Sequence, residues 1–67
     1  MANPTNWNFY DSDGNAIAQG WQGYDYQARK KAQEFADARD SAVEYCEYGH
    51  EVDEDGEPVT GEVVEPA

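Results

Sequence analysis

No leucine occurs anywhere in this sequence, and Leu, Ile, Val and Phe together supply only 8 of its 67 residues. A core assembled in the usual way from branched aliphatic side chains is therefore excluded. Combined with a net charge of −11, that shortage by itself points to disorder. There is one cysteine, which excludes a disulfide framework and any zinc site built on several thiolates. Basic residues number 4 against 15 acids, too few to track a phosphate backbone or an anionic bilayer, so neither nucleic acid nor a membrane surface is expected as a direct partner. No stretch approaches the ~18 consecutive apolar residues of a spanning helix. Met1 to Thr5 lacks an apolar segment, so a secretory signal is not expected either.

What the sequence has instead is aromatic rings. Trp7, Trp21, Phe9, Phe35 and five tyrosines all fall within the first 48 residues, and disordered chains are poor in such side chains. Each ring system can bury about 150–250 Å², so a few of them can stand in for the missing leucines. A chain of this length buries only about 60% of the surface it exposes when unfolded, so a small core has little margin. The composition therefore reads as a folded, aromatic-cored module over residues 1–48, followed by an acidic segment over 49–67 that is either a disordered tail or an edge hairpin.

Trp7-Asn8-Phe9-Tyr10 alternates apolar and polar and predicts a strand with Trp7 and Phe9 on one face. Asp11-Ser12-Asp13-Gly14-Asn15 is turn chemistry. Ala16 to Gln19 then returns as a second strand, closed by Gly20-Trp21-Gln22-Gly23, which completes a β-hairpin. Asp25 suits the N-cap of a helix opening at Tyr26. Within it Ala28, Ala32, Phe35 and Ala36 form one narrow apolar stripe, and Lys30 and Glu34 stand four apart as an ion pair in the less favoured order. Beyond residue 39 two readings compete. Ala42, Val43 and Cys46 could prolong the stripe into one long helix over 25–48, ending at Gly49. Alternatively Asp40-Ser41 breaks the helix, and residues 42–48, rich in Val and Tyr, form a third strand. The strand is preferred, because a lone hairpin with one helix is marginal and a third strand completes a stable sheet. The predicted fold class is thus α+β, a small ββαβ module.

Charge is divided unevenly along the chain. Residues 1–39 hold five acids and all four bases (Arg29, Lys30, Lys31, Arg39), a net of −1, whereas residues 40–67 hold ten acids and no base, a net of −10. Such polarity marks an acidic tail or one strongly negative face. The acids expected to meet a partner are Asp40, Glu44, Glu47, Glu51, Asp53, Glu54, Asp55 and Glu57. Tyr24, Tyr26, Trp21, Tyr45 and Tyr48 exceed what one small core needs, and exposed tyrosines make good interface anchors. Tyr24, Tyr26 and Tyr48 are the aromatic candidates for that role, and core packing is the competing reading for each.

Catalytic chemistry finds little footing. No P-loop, nucleophile elbow or dinucleotide fingerprint occurs, and a chain this short has little room for a cleft that excludes water. Cys46 and His50 are four apart, yet a zinc site needs two further ligands and a Cys–His pair needs an oxyanion site. Glu51, Asp53, Asp55, Gly56 and Glu62 fall at the spacing of a calcium loop. That match fails at its first position, where Glu replaces Asp, and at Pro58, and too little chain follows for an exit helix. No enzyme, metal or cofactor is expected.

A negative surface with interleaved aromatics calls for a basic partner, and the commonest basic surfaces are those that bind nucleic acid. Duplex DNA carries one charge per about 1.7 Å of axis, so ten clustered acids match about 17 Å of it. In its size, its ten acids from Asp40 onward and its hairpin–helix core, the chain resembles the small acidic anti-defence proteins of phages, such as anti-CRISPR proteins and DNA-mimic inhibitors. The resemblance rests on size and charge, without a shared motif. It implies a stoichiometric inhibitor, acting in the cytoplasm of a host cell, that covers the basic nucleic-acid site of a defence nuclease or similar protein. Two other readings remain open: an acidic interaction or accessory domain from a salt-adapted organism, and a calcium-responsive acidic module using residues 51–62.

Overall fold

The computed structural model describes residues 4–48 and 61–67. They form an α+β fold in which β1 (Thr5–Tyr10), β2 (Ala16–Gly23), α1 (Asp25–Arg39), β3 (Val43–Glu47) and β4 (Glu62–Val64) follow one another along the chain. The four strands make one antiparallel sheet in the order β2-β1-β3-β4, and α1 packs on one of its faces. The hairpin, the single helix and the third strand stand as the sequence predicts.

The hairpin turn is held by Asp11. Its Oδ1 accepts the backbone N–H groups of Asp13 at 2.9 Å and Asn15 at 2.8 Å, while Gly14 takes the left-handed conformation with φ 86°. Those two N–H donors, that of Asn15 foremost, hold the Asp11 carboxyl below the usual carboxylate range. The second strand does not stop at Gln19 but continues through Gly20 to Gly23. The reason is Asn8, a fully buried side chain whose Oδ1 accepts the Gly20 N–H at 3.1 Å. With Gly20 at φ 72°, this contact absorbs a register shift between β1 and β2 and lets Trp21 come to lie opposite Trp7.

The helix begins one residue earlier than its sequence suggests. Tyr24 occupies the N-cap, and Gln27 Oε1 accepts the Tyr24 N–H at 2.9 Å, so the cap is closed from inside the first turn. Asp25 becomes the first helical residue, where its charge suits the positive end of the helix dipole. At the other end Asp40 adopts φ 53°, and its N–H and that of Ser41 both return to the Ala36 carbonyl. Aspartate tolerates this left-handed cap better than most residues, and the long helix over 25–48 does not form. Lys31, three residues before Glu34, makes the ion pair at 3.7 Å that the spacing had assigned to Lys30.

Ala28, Ala32 and Ala36 are fully buried, which sets the helix close against the sheet. Phe9 lies at the centre of the core, also with no exposure. Its ring centroid is 5.3 Å from Phe35, 5.7 Å from Trp21 and 6.2 Å from Tyr45. Such aromatic pairs contribute about 0.5–1.5 kcal/mol each beyond area burial. Tyr45, which composition had grouped with the surplus tyrosines, is instead a core residue only 3% exposed. The sheet also contains a strand the sequence reading lacks. Glu62–Val64 pairs with β3, placing Val64 opposite Val43, and both valines are buried. The chain beyond β4 lies along α1: Gln33 Nε2 donates to the Glu65 carbonyl at 2.8 Å, and Asp37 Oδ1 accepts the Ala67 N–H at 2.8 Å.

Candidate acidic and aromatic interface

Strand alternation decides where the acids of β3 point. Val43 and Tyr45 turn into the core beneath α1, so Glu44 faces the opposite side of the sheet. Glu44 pairs with Tyr10 and Val63 across the neighbouring strands. There it helps line a shallow depression of about 270 Å³ together with Asp11, Ser12, Gly14, Ala42 and Val63. Asp40 is exposed at the helix cap just before β3. Glu47 pairs with Trp7 at the far end of the strand, half-buried, and by alternation lies on the helix side. Asp40 and Glu44 therefore share one end of the sheet, and Glu47 belongs to the other end and the other face. Glu51, Asp53, Glu54, Asp55 and Glu57 lie outside the described residues, as do His50 and most of the calcium-like spacing. Cys46 sits half-buried in β3, so the helical face it was to share with His50 does not exist at that position.

The three candidate tyrosines gather at the end where α1 begins. Tyr24, Tyr26 and Tyr48 are 39%, 71% and 56% exposed, which separates them from Tyr45. The rings of Tyr24 and Tyr26 stack, 6.2 Å between centroids and within 3° of parallel. The Tyr48 N–H donates to the Asn6 carbonyl at 2.8 Å, which anchors that residue beside the start of β1 and hence near the end of β2, opposite Thr5. Both ends of the segment 49–60, with its five acids and no base, issue from this side of the sheet, because β3 finishes and β4 starts there.

Glu62 was not among the acids expected to meet a partner and figured only in the calcium-like spacing. Its Oε2 accepts the Tyr45 hydroxyl at 2.7 Å and meets Arg29 Nη1 at 3.0 Å. Burial, followed by the hydrogen bond to Glu62 and the charge of that carboxylate, pushes the Tyr45 hydroxyl up to about 12. No sequence signal could have linked residues 29, 45 and 62, because they meet only when the helix and two strands are stacked. The carboxylate is thus already engaged inside the fold.

The four bases all lie on α1, and none lies in any strand. Arg29 is paired with Glu62, and Lys31 is shared between Glu34 and the face of Phe35, 5.5 Å from the ring centroid. The four described strands are consequently free of cations, and among the described residues Glu44, Glu47 and Glu62 are their only charged side chains. Among the described residues no cluster of three or more His, Cys, Asp and Glu could hold a metal ion, and no helix is long and apolar enough to cross a membrane. Comparison with protein-family models, curated proteins and solved structures gave no match to this chain.

Proposed function

We propose that this chain is a small binding module that docks on a basic protein surface and blocks it, in the manner of a stoichiometric inhibitor of a nucleic-acid-binding protein such as a host defence nuclease. The observation that carries this reading is the segregation of charge. All four bases are confined to α1, and ten of the fifteen acids follow Arg39. A cation-free sheet flanked by acid-rich chain repels nucleic acid and attracts the basic groove that nucleic acid would occupy. Approach would be steered electrostatically and would weaken as salt rises. The exposed Tyr24, Tyr26 and Tyr48 supply contact area at the same end of the sheet from which the acidic segment issues.

The test is capture from a host lysate on the immobilised chain with stepwise salt elution. A basic nucleic-acid-binding protein should elute at moderate salt, and the isolated pair should lose nucleic-acid binding in proportion to the amount of chain added. Captured proteins that are not basic, or a partner that binds its nucleic acid undisturbed, would defeat the proposal.

A further inference from the structure

Among the described residues, the two edges of the sheet are built differently. β4, one edge, is three residues long, begins with Glu62 and is followed by Glu65 and Pro66. Short length, charge and proline are the usual guards against strand addition. β2, the other edge, runs eight residues as Ala-Ile-Ala-Gln-Gly-Trp-Gln-Gly and contains no charged residue and no proline. Apart from the two register shifts in its pairing with β1, it carries none of these guards, in a chain of which 28% of residues are charged.

The hydrogen-bonding phase of that edge follows from one contact. The Tyr48 N–H donates to the Asn6 carbonyl, so Asn6 directs its backbone groups toward β3, and alternate residues Thr5, Trp7 and Phe9 direct theirs toward β2. Their partners Gly23, Trp21 and Ala18 therefore face inward. Gln22 and Gln19, between and beside them, turn their N–H and C=O outward, and both are exposed. The Gly20 N–H is taken by Asn8, so the free groups lie on either side of that irregularity.

We infer that the outer edge of β2 accepts an extended segment of the basic partner as a fifth strand. The charges at its two ends select the occupant. Asp13 stands exposed in the turn before Ala16, and Asp25 stands exposed just beyond Gly23, bracketing an uncharged track about 26 Å long. A segment with neutral residues along its middle and Lys or Arg toward its ends fits that pattern. A second copy of this chain does not, because antiparallel β2–β2 pairing would set the Asp11–Asp13 turn of one copy against Asp25 of the other at both ends. This inference rests on the basic-partner reading and names how that partner is held.

The experiment is an amide-resolved NMR titration with a capped decapeptide of alternating Thr and Val carrying a Lys pair at each end. A matched peptide, N-methylated at alternate residues on one edge, serves as control. The expected result is that the Gln19 and Gln22 amides shift and gain exchange protection, while the N-methylated peptide and the Gln22→Pro variant each bind at least tenfold more weakly. Should Gln22→Pro fail to fold by circular dichroism, the N-methylated peptide decides alone. Peptide binding that moves Glu44 and the acidic segment but leaves β2 unmoved overturns the edge docking and leaves the basic-partner reading standing. A peptide that binds nowhere also overturns it, and the lysate capture then judges the wider reading separately. Concentration-dependent self-pairing through β2 would show the occupant to be a second copy and would overturn docking of the basic partner at this edge.

Discussion

The Tyr45 hydroxyl and Arg29 Nη1 converge on one oxygen, Glu62 Oε2, at 2.7 Å and 3.0 Å. This junction ties the helix to β3 and to the three-residue strand β4. The ion pair itself is exposed and worth little, so the weight falls on the hydrogen bond from a mostly buried phenol. Tyr45→Phe should cost about 1 kcal/mol in urea unfolding. In an ultraviolet titration Tyr45 should ionise near 12. Because its value is raised on folding, the associated stability is complete below pH 10 and is lost as pH climbs toward about 12. Glu62→Gln should bring that ionisation down.

Asp37 behaves in the opposite sense. The Ala67 N–H and, after it, the Gln33 side chain hold its carboxyl below the usual range. The stabilisation is therefore present above about pH 4 and disappears as acid titrates the folded carboxylate. Asp37→Asn should flatten the acid limb of the stability curve and speed hydrogen exchange at Ala67, while leaving the neutral-pH sheet intact. An unchanged acid limb would show that this contact contributes nothing.

The core has no slack at its helix–sheet seam. Ala32 is fully buried between Ala28 and Ala36, and Ala32→Leu should force the layers apart at a cost of about 1–3 kcal/mol. Phe9→Ala removes the ring that Trp21, Phe35 and Tyr45 all meet and should cost about 3–5 kcal/mol. In a domain this small that loss should abolish the cooperative urea transition.

Asn8 is the one buried polar side chain in the described core. Asn8→Ala leaves the Gly20 N–H without its acceptor and should cost about 1–3 kcal/mol. The NMR signature should be local, with Gly20 and Trp21 shifting most, because the change releases the irregularity that carries β2 past Gln19.

Asp40 and Glu44 test the acidic surface without touching the core. In the double reversal, Glu44→Lys should change stability by no more than about 0.5 kcal/mol. Asp40→Lys should cost about 1 kcal/mol, because lysine tolerates the left-handed cap at φ 53° less well than aspartate. Together the two reversals should also weaken binding to the captured basic partner and flatten the salt dependence of that binding. Equal affinity for the reversed protein would move the functional contact elsewhere on the molecule.

By itself the sequence determined the local elements and the charge. Alternation in Trp7–Tyr10, the side-chain chemistry of Asp11 and Gly14, the alanine spacing in the helix and the uneven division of acids each act over a few residues. The elements they specify are therefore legible without a fold. Tertiary structure decided what depends on residues far apart. Val64 became a strand residue because Val43 offers a buried partner across the sheet, and Tyr45 became core because Phe9 and Trp7 lie beside it. Glu62 was neutralised by Arg29, 33 residues away, and strand alternation sent Glu44 and Glu47 to opposite faces. The two edges differ for the same reason: the uncharged run Ala16–Gly23 is plain in the sequence, but only the strand order β2-β1-β3-β4 leaves that run at a margin with hydrogen-bonding groups to offer.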